Sequence, residues 1–258
     1  MPTVREQCLA ELRALRIFFD IAASQGIRLP EDSQLLRRSL DTSLQILLRL
    51  TSHASWRWPP PEFWSLIALA QHHGVPTRAL DWTWNPLTAA YFAARDLPQS
   101  QHDSIVVWIF EYYSKHLDQL FEPQLPEERP LVFFTAPGAD NQNLRAQRGM
   151  FMSQSHRLED LDAAFAPAGY DVLAPHTLAV KNLPLLKRVI VKASEAIQIL
   201  AHLAPAGVTA AALFPGLWGV ARELEERRVL SQSTLPISQT NLTADLRARI
   251  KYAEKLGA

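Results

Sequence analysis

Apolar residues return every three or four positions through residues 4–23. Leu12, Leu15, Phe19 and Ala22 form one stripe, the mark of a helix packed along one side. Gly26 is placed to end it. The same spacing at Leu36, Leu40, Leu44 and Leu47 predicts a second helix from about Ser33 to Leu50, with Asp32 or Ser33 as its cap. The proline run ending at Pro61 forces Trp56–Pro61 to be extended. A helix over Glu62–His73 follows, with Phe63, Ile67 and Ala70 on one side and Gly74 as its stop. Thr77–Thr83 reads as a short strand or extended loop. Asn85-Pro86 starts another helix, because asparagine accepts from an orphan amide and proline fits the first helical position. It runs to about Arg95, with Leu87, Ala90, Tyr91 and Ala94 turned to the core, and Pro98 lies beyond it.

The period then changes. Ser104–Phe110 is apolar at nearly every position, which predicts a strand buried on both faces. Leu131–Ala136, Met150–Gln154, Leu178–Lys181 and Arg188–Lys192 are further strands. The stretches 122–130 and 158–176 read as surface connections. Ala196–Leu203 and Leu217–Arg228 are helical, and a polar stretch leads to a basic helical segment at Ala244–Lys255. Helices come first, then strands interleaved with helices. The class is α+β: N-terminal helices packed on a mixed, mainly antiparallel central sheet. The expected organisation is an N-terminal helical part (1–55), a core (56–228) and a polar, basic tail (229–258).

Composition narrows the chemistry. The 258 residues hold 26 Lys+Arg and 26 Asp+Glu, so a bulk electrostatic hold on nucleic acid is disfavoured and only a local basic groove remains open. One cysteine, Cys8, excludes a disulfide framework and a cysteine-zinc cluster, and no histidine spacing suggests a metal. No apolar run reaches the roughly 18 residues that cross a bilayer. Met1–Glu11 lacks an apolar signal core. The expected compartment is the cytoplasm, with no membrane partner.

Five of the seven tryptophans fall within residues 56–84. They flank Gln71-His72-His73-Gly74-Val75-Pro76-Thr77-Arg78-Ala79-Leu80-Asp81-Trp82-Thr83, where amide, imidazole, hydroxyl, guanidinium and carboxylate groups crowd between two apolar helices. Such groups pair with one another or face a ligand, since an unpaired buried one costs about 1–3 kcal/mol. In one reading they form a junction, with Asp81 on Arg78 and His72 capping a helix end. In the other they line a cleft wall near the helix N-terminus at Asn85, which offers amides to an anion while tryptophans or Tyr91 stack on a flat ring.

Residues 71–94, Q-H-H-G-V-P-T-R-A-L-D-W-T-W-N-P-L-T-A-A-Y-F-A-A, resemble the hallmark of FRG domains, Q-H-[YF]-G-x-P-T-R-L-L-D-W-T followed by a helix ending Y-F-A. Ala79 stands where leucine is usual. Asn143–Phe151 is similar to the family's N-x-R-x-x-Q-x-G-x-F block, and Leu213–Gly219 to its L-F-P-x-L-x-G block. The resemblance spans roughly residues 56–228. No F-R-G or Y-R-G occurs in the sequence, so the family's N-terminal tripeptide has no counterpart here.

The resemblance implies, by analogy, an ADP-ribosyltransferase-like layout with NAD as the nucleotide. Such proteins often serve as toxins or phage-defence effectors acting on a macromolecular target, here unknown. The catalytic residues it implies are Thr83, Asp81 and Gln147. Gln71, His72, Thr77, Arg78, Trp82, Tyr91 and Arg145 are the implied nucleotide contacts. Thr83 would hold the nicotinamide ribose, Trp82 or Tyr91 would stack on the ring, and Gln147 would bond a ribose hydroxyl. A glutamine is no base. The alternative is therefore a nucleotide- or partner-binding module without turnover, or a chain truncated at its N-terminus.

Overall fold

The computed structural model describes residues 2–53, 55–96, 103–110, 131–136, 142–163 and 186–232. They fold as α+β, with much helix and small sheets. The chain divides into two compact units. One takes in the chain up to Asp81, the strand Leu131–Phe134 and residues from Met150 to 163. The other takes in Trp82–Phe110, Gln142–Gly149 and the chain from Lys187 onward. The crossings at 81/82 and 149/150 both fall inside strands.

The first unit is built on helix α1 (Val4–Ser24). Thr3 and Glu6 close a capping box at its start: the Glu6 amide donates to the Thr3 hydroxyl at 3.2 Å, and the Thr3 amide donates to the Glu6 carboxylate at 2.7 Å. The predicted stripe is buried, and Gly26 turns the chain with φ +68°. Helix α2 (Gln34–Leu47) starts as expected at Ser33, whose hydroxyl accepts from the Leu36 amide. It stops three residues short of Leu50, because Arg49 takes a left-handed φ of +63°. Helix α1 packs on α2 and on α3 (Trp64–His72), which is entered through a 3₁₀ turn at Pro61–Phe63. Strand β1 (Arg57–Trp58) runs antiparallel to β6 (His156–Arg157), with Trp58 opposite His156. Strand β4 (Leu131–Phe134) runs antiparallel to β5 (Gly149–Gln154), with Phe134 opposite Phe151. The Phe134 ring stacks on Phe151 and on Trp64, each at 5.4 Å.

The expected surface connection after 158 is corrected at its start. Leu161 is fully buried, and its carbonyl accepts from the Arg5 amide at 2.7 Å. The stretches 122–130 and 164–176, the strand at 178–181 and the helix at 244–255 lie outside the described residues.

In the second unit, β2 (Leu80–Thr83) leads to α4 (Pro86–Ala94), where the Asn85 side chain caps the Leu87 amide at 3.0 Å as expected. Strand β3 (Ser104–Phe110) pairs with β7 (Leu186–Lys192). Helices at Ala196–Leu203, Ala210–Leu213 and Leu217–Gln232 complete the unit. Tyr91, Ala94, Ile105, Ala196, Leu200, Leu203, Ala210 and Leu213 make its core. Gly219 is required here: a Cβ would collide with the Phe214 carbonyl, so the last helix comes up against the turn before it.

Two expectations change. Strand β3 is not buried on both faces: Ile105 is covered, while Val106 is 38% exposed. Nor do the strands merge into one central sheet; among the described residues they form three small ones.

Candidate functional site

The motif residues of the first unit form two groups. In the first, Gln71, at the end of α3, accepts the Thr77 hydroxyl proton on its carbonyl oxygen at 2.5 Å. The Gln71 side chain also acts on Asp81, pulling its carboxyl pKa down. Gly74, with φ +83°, makes the turn that brings the two ends of the motif together. Asp81 is exposed as a residue, yet its carboxyl is crowded. Desolvation raises its pKa, against the lowering pull of Gln71 and of His72. Desolvation lowers the His72 pKa, the neighbouring His73 adds to this, and Asp81 opposes it.

The second group is buried. Arg78 does not turn to Asp81. Its backbone amide donates to one carboxylate oxygen of Glu11 at 2.9 Å and its Nε to the other at 3.0 Å. The Trp58 indole donates to the same carboxylate at 2.9 Å, and an Arg78 terminal nitrogen lies 3.3 Å from the Cys8 sulfur. The side chains of Arg78 and Glu11 are each 6% exposed. The Arg78 guanidinium thus takes part in an internal ion pair with Glu11. Desolvation pushes the Cys8 thiol up to about 11. Desolvation also holds His156 down at about 4, and the charge of Arg78 adds to it.

In the second unit, Thr83 and Gln147 come together from 64 residues apart. The Thr83 hydroxyl donates to the Gln147 backbone carbonyl at 2.6 Å and accepts from the Asn85 amide at 3.0 Å. The Gln147 side-chain amide donates to the Leu213 carbonyl at 3.0 Å. All three blocks quoted from the sequence thus meet through two bonds. Arg148 turns with φ +49°, and its carbonyl accepts from the Trp84 amide at 3.1 Å. Gly149 leaves room for Leu144, whose side chain would have to shift for a Cβ. Arg145 is exposed on the helix Gln142–Ala146. The half-buried Trp82 ring tilts against Phe110 at 5.8 Å. Tyr91 is only 1% exposed and donates its hydroxyl to Glu226 at 2.6 Å. Burial and that bond raise its pKa. Tyr91 belongs to the core of this unit.

Glu11 and Glu226 were not singled out from the sequence. Glu11 had a legible signal: it lies three residues after Cys8 and four before Leu15, an acid on an apolar stripe. Among the described residues no group of three or more His, Cys, Asp or Glu could hold a metal ion, and no helix is long and apolar enough to cross a membrane.

No curated protein and no solved structure matches the chain. A family model does match, over residues 27–102, a stretch that contains the whole 71–94 motif: the chain carries an FRG domain.

Proposed function

We propose that the chain binds an NAD-type dinucleotide in a site of ADP-ribosyltransferase-like layout, and that it holds the nucleotide with little turnover. The observation that carries this reading is the Thr83–Gln147 pair. Its roles differ from those expected of each residue alone. The Thr83 proton is spent on the Gln147 backbone, so Thr83 acts as a positioning residue. The Gln147 amide is anchored to Leu213, which leaves its side-chain carbonyl oxygen to accept a ribose hydroxyl. The half-buried Trp82 offers ring surface to a flat heterocycle.

Release of nicotinamide breaks its bond to the ribose and leaves an oxocarbenium-like carbon. That charge is best met by a carboxylate, and an acceptor needs a base. An amide at Gln147 supplies neither, which favours holding over transfer. A role as a toxin or defence effector would then act through binding a macromolecular target rather than modifying it.

Calorimetry of the full chain with NAD and with ADP-ribose tests the reading, alongside release of labelled nicotinamide. Saturable binding that weakens in Gln147→Ala, with release near background, is expected. Absence of binding to either ligand overturns the nucleotide reading. Rapid release of nicotinamide overturns the part that denies turnover.

A further inference from the structure

The helix Leu217–Gln232 turns its polarity the opposite way from an ordinary surface helix, which faces charge outward and apolar side chains inward. Its inner side is formed by Gly219, Arg222, Glu223 and Glu226, and the charged groups there are bonded within the unit. The Tyr91 hydroxyl donates to Glu226 at 2.6 Å and the Ala211 amide to Glu223 at 3.2 Å. Arg222 donates to the Arg95 carbonyl at 3.2 Å and to Asp96 at 3.1 Å. The outer side is apolar. Leu217 is 88%, Val220 56% and Leu224 71% exposed, with Ala221 exposed between them. Their spacing of three, four and seven residues makes one stripe. Trp218 flanks it and is 61% exposed, although its ring meets Phe214 edge-on at 4.8 Å. Among the described residues nothing covers this stripe. Single exposed apolar side chains are ordinary, but a contiguous run of them marks an interface.

We infer that the stripe pairs with the same stripe of a second copy of the chain, the two helices running antiparallel. Positions 217, 220, 221 and 224 read the same in both directions about the midpoint between Val220 and Ala221. A twofold axis at that midpoint sets Leu217 of one copy opposite Leu224 of the other, and Val220 opposite the smaller Ala221. Such self-complementarity is what a twofold contact requires, and a helix of a different protein has no need of it. A pairing moved two residues along the helix would set Arg228 on Leu217 and lose the match. Burying the stripe with Trp218 and Val229 would remove roughly 400 Å² of apolar surface from each copy. A standard interface buries about 800 Å² per partner, of which about 450 Å² is apolar, so the stripe supplies nearly the whole apolar share. At zero net charge the copies do not repel one another. The inference does not rest on the nucleotide reading.

Sedimentation of the full chain from low to high micromolar concentration tests it. A monomer–dimer equilibrium is expected. The double variant Leu217→Glu/Leu224→Glu changes only exposed side chains, so it should keep the parent's urea midpoint and sediment as a monomer throughout. Ile17→Glu, at an exposed apolar position on α1, should leave the equilibrium unchanged. Cross-linking fixes the register. Ala221→Cys lies beside the twofold axis and should join two copies under a mild oxidant. Val229→Cys, whose two copies would lie about 25 Å apart along the helix axes, should not. Three results would overturn the proposal: a parent chain that stays monomeric, a dimer that survives in the double variant, or cross-linking through position 229 and not 221.

Discussion

Replacing Glu11 by glutamine removes one charge from a place that water does not reach. Its carboxylate receives three hydrogen bonds between 2.9 and 3.0 Å, two from Arg78 and one from the Trp58 indole. Arg78 and Glu11 are each about nineteen-twentieths covered, with side-chain exposures of 6%. The variant keeps the shape but leaves the Arg78 guanidinium without its counter-charge and turns an amide NH₂ toward donors. Removing one partner of a buried pair costs about 3–5 kcal/mol, against about 1 kcal/mol for an exposed one. The first unit should lose stability on that scale, read as a drop in the urea midpoint followed by tryptophan fluorescence. Replacing both partners, Glu11→Leu with Arg78→Met, should cost less than the sum of the single changes by about 2 kcal/mol. A single variant within 1 kcal/mol of the parent, or an additive double variant, would refute the claim that the pair acts as a unit.

Thr83→Val keeps the β-branched shape and removes the donor to Gln147; it should cost about 1–2 kcal/mol and weaken NAD binding, with Thr83→Ser restoring both in the calorimeter. His156 is held neutral in the folded chain, so the unfolded chain takes up its proton first. Its contribution is complete above about pH 6.5 and is lost as pH falls toward its folded pKa of about 4, up to about 3 kcal/mol. Urea midpoints at pH 7 and pH 4.5 measure this, and His156→Phe should flatten the difference. Cys8 is fully buried with its thiol at about 11, so a disulfide reagent at pH 8 should react slowly with the native chain and at once in denaturant.

The helices were legible because each carries a stripe and a cap within its own few residues. Leu36 and Leu40 marked the second helix and Ser33 its start; Asn85-Pro86 marked the fourth. Local signals misled wherever a partner lay far along the chain. Arg78 and Asp81 are three residues apart and opposite in charge, which suggested a pair, yet the guanidinium is held by Glu11, 67 residues away. Tyr91 stands in the motif, and its hydroxyl partner, Glu226, lies 135 residues away on the last helix. The strand Ser104–Phe110 carries enough apolar residues for two covered faces, yet Val106 stays 38% exposed, which the apolar run alone does not reveal. The meeting of Thr83 with Gln147 was implied by resemblance, and spacing alone would not have found it.

The Glu11–Arg78 pair also sets where the domain can be cut. The segment matched by the family model begins at residue 27, beyond the whole of α1. A piece excised at that boundary would keep the motif arginine and discard its anion, along with the thiol and the helix beneath it. The recognisable stretch and the cooperative folding unit are thus different lengths of chain. An expression fragment meant to isolate the motif has to start at or before Thr3, whose side chain caps the helix that holds Glu11.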